Sequence, residues 1–456
     1  MPLRMVKPRL KVRSAVQGCS RRARDLVLAG VLAAAVLAPL ALASSITSAP
    51  VSTTIGTTNV TPMWGPQIPK VVYDGQWYYT TTLDGTGTQH PWNAKIWKSS
   101  DGVSWTLVKT LNAWVYQPPG LILDSGNRLW LVVPCYTGGE CYPGVMPKAG
   151  GSQQYVYLVR LQFTSKLGDG SFNFSSWNDH SDRSATAERY YGGLAIDTLS
   201  RRYVYHAYSK NGWPLYFSKF DTWTNTEATN QIATPGTNEA YLYPRVRPGT
   251  VSGEVWLLFN QTYTNTGNSA TIFGVQLWRS TDGGATFPTN QRFMVASCPN
   301  PDGVDNWCDA ADLVIDANDR PHVLYFKRTS GVSHLYYWKG NAGSVFLPGS
   351  PVDLGPYDNH SQIATIGANG TKFVFAHNFS TNDNVLRVLR SPDGATWTTE
   401  TFAVPNNDRI YSPNVMRPES GTFHSQGTNI FQMLLSGRPP GGSVYSRLEF
   451  LKYTAT

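Results

Sequence analysis

Ser391-Pro392-Asp393-Gly394-Ala395-Thr396-Trp397 decides the fold when set beside two stretches of the same build, Ser99-Ser100-Asp101-Gly102-Val103-Ser104-Trp105 and Ser280-Thr281-Asp282-Gly283-Gly284-Ala285-Thr286-Phe287. In each, an Asp can accept the N–H groups of a tight turn, a following Gly can take positive φ, and an aromatic ring can seal the gap beneath. Apolar and polar residues alternate over four to seven positions on either side, rich in Val, Tyr, Trp, Phe and Ile and punctuated by Gly, Asn, Asp and Pro. That is the pattern of half-buried strands, so the chain reads as all-β.

The alternation recurs. Innermost strands are expected to begin near Ile68, Gly120, Gly193, Tyr243, Asp312, Gln362 and Asn414, at spacings of 52, 73, 50, 69, 50 and 52 residues. Second strands follow at Leu129–Val133, Tyr203–His206, Val255–Phe259, His322–Phe326 and Phe373–His377. Third strands follow at Ala94–Lys98, Gly274–Arg279, Ser333–Trp338 and Leu386–Arg390. Three or four antiparallel strands repeated at this period predict a β-propeller over residues 63–456, with seven blades preferred to six.

The 456 residues carry a formal charge of +8, but residues 1–43 hold eight Lys/Arg and a single acid, Asp25. The remainder is nearly neutral, with thirty basic and twenty-nine acidic groups, which argues against a nucleic-acid partner. A basic stretch from Arg4 to Arg24, the apolar run Leu26–Ala43 and the ending Ala41-Leu42-Ala43 predict a cleaved signal peptide at 1–43. Export follows, with no membrane attachment after cleavage; an uncleaved anchor is the alternative. Ser20-Arg21-Arg22 adds a twin-arginine feature, so the route, Sec or twin-arginine, stays open. Residues 44–62, rich in Ser and Thr, read as a linker. Outside the leader, Cys135 with Cys141 and Cys298 with Cys308 form two close pairs, read as local disulfides, with zinc as the rival. A monomer is expected.

In a propeller, reactive groups gather where innermost strands begin and second strands end. Residues equidistant from a hairpin turn are cross-strand neighbours. By that construction His360 lies beside His377, Tyr190 and Tyr191 lie near His206, and Tyr243 and Arg245 lie near Asn260 and Gln261. Gln67, Tyr116, Gln117, Asp309 and Tyr411 also sit at strand entrances, and Trp92, Trp114 and Trp213 are candidates for stacking on sugar faces. His322 reads as a structural histidine. No cofactor is expected; a divalent metal on His360, His377 and Asp358 is the alternative.

Over residues 64–456 the three Asp-Gly turns resemble those of the Asp-box (BNR-repeat) propellers, which include sialidases, related exo-glycosidases and propeller polysaccharide lyases. The resemblance implies that Asp101, Asp282 and Asp393 are structural. Trp64-Gly65-Pro66-Gln67-Ile68-Pro69 looks like the first inner strand of sialidases, but Gln67 stands where that family has a substrate-clamping arginine. The family's acid is expected in a loop that here reads Gln89-His90-Pro91-Trp92-Asn93, and only Tyr411-Ser412 resembles its nucleophilic tyrosine strand. Asp358-Asn359-His360-Ser361 with Ala376-His377-Asn378 looks like the histidine-bearing hairpin of ulvan-type lyases.

The expectation is therefore an exported enzyme cleaving a polysaccharide or oligosaccharide by β-elimination at a uronic acid. His360 or His377 is the base, Tyr190 or Tyr243 the acid, and Arg245 the carboxylate partner. Gln67, Tyr191, His206, Asn260 and Trp92 bind substrate. Two alternatives remain: a sialidase-like exo-glycoside hydrolase using Tyr411, Glu188 or Asp309, and a glycan-binding propeller without catalysis.

Overall fold

The computed structural model describes residues 44–53, 68–84, 92–115, 119–139, 157–175, 178–179, 190–209, 214–263, 271–298, 305–358, 360–366, 370–378, 384–404, 409–421, 429–438 and 447–456. All strands fall in one unit, Ser45–Thr454; Ser44, Ala455 and Thr456 belong to a second. Among the described residues helix is confined to short 3-10 turns such as Thr289–Gln291.

The strands are β1 (Ser45–Ser52), β2 (Val71–Tyr73), β3 (Tyr78–Asp84), β4 (Trp92–Ser99), β5 (Thr106–Val115), β6 (Gly120–Leu123), β7 (Leu129–Gly139), β8 (Tyr157–Thr164) and β9 (Asn178–Asp179). There follow β10 (Tyr190–Ile196), β11 (Tyr203–Ser209), β12 (Leu215–Asp221), β13 (Thr226–Ala233), β14 (Ala240–Pro248), β15 (Val255–Thr262), β16 (Ile272–Ser280), β17 (Arg292–Ser297), β18 (Trp307–Ile315) and β19 (Pro321–Thr329). The last are β20 (Val332–Lys339), β21 (Val352–Gly355), β22 (Gln362–Ile366), β23 (Thr371–Ala376), β24 (Val385–Ser391), β25 (Thr398–Ala403), β26 (Arg409–Val415), β27 (Ile430–Arg438) and β28 (Arg447–Thr454). The expected second and third strands are all present.

Hydrogen bonding gathers these strands into a β-propeller of six sheets. Five have four strands: β10 to β13, β14 to β17, β18 to β21, β22 to β25, and β26-β27-β28-β1. The sixth has eight, because β5 pairs with β7 at Ala113–Gly139 and Val115–Cys135 and joins the meander β2 to β5 to the meander β6 to β9. The preference for seven separate blades is thereby corrected to six. The spacing of innermost strands carries no information about an outer strand that bonds to the next repeat. Residues 45–52, read as linker, are β1. Their partner is Arg447–Thr454 at the far end of the chain, with Ala49, Val51 and Ser52 buried, so no local repeat could reveal them.

The core lies between sheets rather than within them. Val255, Leu257, Phe259 and Trp278 of one sheet pack on Ala195, Tyr205 and Phe217 of the one before. Val51, Leu434 and Phe450 pack on Val71 and Tyr78, which joins the last sheet to the first. Each buried aromatic or aliphatic side chain contributes about 1.5–3 kcal/mol. Gly193 marks a close approach of two inner strands: a Cβ there would lie 2.5 Å from the Pro244 carbonyl and 2.9 Å from the Arg245 Cα.

Inner strands run in one direction around the axis. Arg245 Nε donates to the Ala311 carbonyl at 2.7 Å, and Arg247, two residues on, donates to Leu313 at 2.8 Å, so β14 and β18 advance together. All strand entrances therefore share one end of the ring, and the Asp-Gly turns share the other.

The expectation of two local disulfides is corrected for one pair and not supported for the other. Cys298 and Cys308 are buried free thiols, not a disulfide. Their sulfurs share a hydrogen bond, which together with burial pushes the Cys308 thiol up, and Cys308 Sγ also lies 3.8 Å from the Ile272 carbonyl. The two residues fill a core gap as small apolar groups, so close spacing in sequence reflected packing rather than a covalent link. The expected disulfide between Cys135 and Cys141 is not shown. Cys141 lies outside the described residues, and of Cys135 only the backbone, in β7, is described.

Candidate active site

The entrances of four inner strands carry the same irregularity. The pairing register slips between Tyr190 and Gly193, Leu242 and Arg245, Ala310 and Asp312, and Tyr411 and Asn414. A bulge adds an unpaired residue and turns the strand, which aims the entrance at the axis. In β14 Tyr243 and Pro244 together stand opposite the single residue Phe259, and Tyr243 has φ 50°, a left-handed conformation that an aromatic residue adopts only under constraint.

Below the entrances, polar side chains of one inner strand satisfy backbone groups of the next. Asn414 Nδ2 donates to the Ile68 carbonyl at 3.2 Å while its Oδ1 accepts from Lys70 N at 3.1 Å. Gln362 Oε1 accepts from Val415 N at 2.7 Å, Asp312 Oδ2 from Ile363 N at 2.9 Å, and Asn260 Oδ1 from Ala310 N at 2.8 Å. Asn260 also donates to Asp309 Oδ1. Arg247 and Arg417 both pair with Asp312. Burial alone would push the Asp312 carboxyl up, but the two guanidinium groups overcome this and hold it below the usual range. The fully buried Lys70 ammonium, whose Nζ donates to the Ile68 carbonyl at 3.3 Å, is pushed down to about 7 by desolvation.

At the mouth of β22, His360 Nδ1 donates to Asp358 Oδ1 at 2.6 Å, and His360 N donates to the same oxygen at 2.9 Å. Burial raises the Asp358 carboxyl, yet the adjacent His360 and His377 bring it down to about 2. The pairing of β22 with β23 begins at Gln362–Phe375, and just beyond it Asp358 N donates to the His377 carbonyl at 3.1 Å, which holds Asp358 against the end of β23. The two rings differ in access: the His360 side chain retains 14% exposure and His377 is 1% exposed. Because Nδ1–H is donated to Asp358 Oδ1, the ring nitrogen left to take a proton is Nε2, the arrangement a general base requires.

The other expected positions divide. Asn260 is buried against Asp309, but its cross-strand partner is Leu242, and Arg245 faces Leu258. The expected pairing is thereby corrected: Asn260 would face Tyr243 by a plain count from the turn, but the Tyr243–Pro244 bulge shifts the register by one residue and gives it Leu242 instead, while Arg245, on the turn side of the bulge, keeps the regular partner Leu258. Arg245 is 4% exposed, with Nε on Ala311 and Nη1 on the Tyr243 carbonyl at 3.0 Å. It thus holds the strained Tyr243 in place while its charge faces Asp309 and Asp312.

His206 is opposite Leu194; its imidazole fills the space that a side chain at Gly192 would occupy and stacks on Tyr208 at 4.8 Å. Tyr190 pairs with Ser209 through its backbone. The side chains of Tyr190, Tyr191, Tyr411, Trp92 and Trp114, and all of Gln67, Tyr116, Gln117, Glu188 and Trp213, lie outside the described parts. His322 is structural, fully buried between Tyr337 Oη at 2.8 Å and Asp316 Oδ2 at 3.1 Å. Among the described residues no group of three His, Cys, Asp or Glu side chains is placed to hold a metal ion.

Sequence reasoning missed Glu239 and Arg417. Glu239 Oε2 accepts from Gln261 Nε2 at 2.9 Å and from Gly236 N at 3.1 Å. Gln276 donates to Gln261 and Arg292 to Gln276, which extends a polar relay along the rim. Glu239 precedes β14 by one residue, and the expected strand start at Tyr243 hid it. Arg417 gave one signal, a lone cation closing the apolar run after Asn414.

No family model and no curated protein matches the chain. Solved structures do match in fold. A polysaccharide lyase superposes with a TM-score of 0.60 at 10% identity, covering 90% of this chain and 98% of that one. An ulvan lyase bound to a repeat of glucuronate and sulfated rhamnose gives 0.58 at 11%, covering 88% and 95%. A lectin from Burkholderia pseudomallei gives 0.50 at 9%, covering 81% and 93%.

Proposed function

We propose that this protein is an exported polysaccharide lyase that cleaves a uronate-bearing glycan by β-elimination. The observation that carries the reading is the Asp358–His360 pair at an inner-strand entrance, oriented through Nδ1 and partly exposed, whereas the nearby buried Arg247, Arg417 and Asp312 pair among themselves. The fold it shares with two polysaccharide lyases supports the substrate class.

In the proposed reaction His360 Nε2 takes the proton beside the uronate carboxylate. The electron pair of that C–H bond forms the new carbon–carbon double bond, the glycosidic carbon–oxygen bond breaks, and Tyr243 protonates the departing oxygen. Charge accumulates on the uronate carboxyl group in the transition state. Arg245, held behind Tyr243, supplies positive potential to the pit and fixes the phenol's backbone rather than clamping the carboxylate directly. The protein without residues 1–43, incubated with uronate-bearing and neutral glycans, is expected to release reducing ends together with the ultraviolet absorbance of an unsaturated uronate. Reducing ends without that absorbance would make it a hydrolase; neither product would leave a binding protein.

A further inference from the structure

We infer a second carbohydrate site on the opposite end of the ring, with Trp223 as a stacking platform for a pyranose of a polysaccharide chain. Only the ligand class rests on the lyase reading; the site stands on its own geometry. Trp223 is 62% exposed, in the turn between β12 and β13. Isolated exposed hydrophobic residues are ordinary on protein surfaces; what distinguishes this one is that it is exposed and yet held. Its Nε1 donates to Ser125 Oγ at 3.1 Å, in the turn between β6 and β7, and its backbone N donates to Asp221 Oδ1 at 2.9 Å. The Arg202 guanidinium lies 4.7 Å from the indole centroid and is itself fixed by a two-point ion pair with Asp221.

The supporting turns are knitted to one another. Ser125 N donates to the Arg201 carbonyl at 3.0 Å, Thr222 N to Arg202 at 3.0 Å, and Arg128 Nη2 to the Thr222 carbonyl. One indole face thus rests on a cation, and the open face is presented to solvent at fixed orientation across two repeats. A rigid aromatic plane matches the C–H face of a sugar ring and loses little entropy on binding. Because Arg202 is neutralised by Asp221, the platform selects for a stackable ring rather than for charge, and both acidic and neutral glycans fit it.

Affinity electrophoresis of the protein in gels containing ulvan, polygalacturonate or xylan tests this. Retardation in at least one gel is expected, with Trp223→Ala weakening the apparent affinity about five- to tenfold and Trp223→Tyr retaining most of it. Ser125→Ala should give a smaller loss, and cleavage of a short oligouronide should be the same in all four proteins. Equal retardation of wild type and Trp223→Ala, or no retardation in any gel, overturns the platform. Retardation that depends on Trp223 without cleavage of any glycan keeps the platform and removes the lyase; cleavage with retardation indifferent to Trp223 does the reverse.

Discussion

The two ends of the ring use the same residue types in opposite ways. At the turn end, Asp101 Oδ1 accepts from Val103 N at 2.7 Å, Ser104 N at 2.8 Å and Ser99 Oγ at 2.9 Å, and Asp393 repeats the pattern with Ala395, Thr396 and Ser391. Every partner lies within three residues, so these carboxylates are spent on their own turns; their backbone and hydroxyl bonds hold Asp101 and Asp393 down to about 2. At the entrance end, Asp312, Gln362, Asn260 and Asn414 reach partners 50 or more residues away, and Asp358 is committed to a partly exposed imidazole. Local satisfaction makes a fold; satisfaction at a distance brings separate repeats to one place, where chemistry becomes available.

The sharpest way to break this contrast is to disable one residue at each end. His360→Ala should lower turnover about 10²–10⁴-fold with little change in the unfolding midpoint, as expected for loss of a general base. Gly284→Ala should do the opposite. Its φ is +82° and an added Cβ would run into the Phe217 ring, so a loss of about 2–4 kcal/mol in denaturant unfolding is expected, with unchanged turnover per folded molecule. Turnover lost with Gly284 but kept without His360 would invert the assignment of the two ends.

Asp358→Asn sharpens the entrance end. Loss of the carboxylate that orients His360 should reduce turnover about 10–100-fold. It should also change acid stability. The Asp358 carboxyl is lowered from 3.8 to about 2, so it stabilises the fold above pH 3.8 and loses that contribution as pH falls through about 2. The wild type should lose about 2 kcal/mol over that window by acid titration, and the variant should not.

The smallest effect is expected at the turn end, where Glu254 is buried beside Asp319 and paired with Arg279. Burial, then Asp319, raises its carboxyl from 4.5 to about 7. Its stabilising contribution is therefore complete below pH 4.5 and lost as pH rises through about 7. Glu254→Gln should flatten the pH dependence of the unfolding free energy across that window by about 1–2 kcal/mol.

Hairpins were legible wherever they are regular. His360 and His377 could be placed at one strand mouth because β22 and β23 pair without a slip from Ile366–Thr371 to Gln362–Phe375, and both bear on Asp358 just beyond. The same count from the turn is off by one residue for Tyr243 and Asn260, where Tyr243 and Pro244 form a bulge that no composition signal marks and Leu242 becomes the partner of Asn260. Glu239 was hidden for a related reason: a strand that begins before its bulge is longer than its regular part, and alternation detects only the regular part.

Alternation, turn chemistry and period determined that this chain makes strands, where most of them lie, and that their hairpins repeat around an axis, because those choices are settled by neighbours a few residues apart. Three things were decided only by the tertiary structure: the pairing of β5 with β7 that leaves six sheets, the pairing of β1 with β28, and the buried links that join Arg245, Asp312, Gln362 and Asn414 into one lining. These contacts span tens to hundreds of residues. Their partners are chosen by closure of the ring, which removes water from polar groups and obliges each to find whatever the next strand presents.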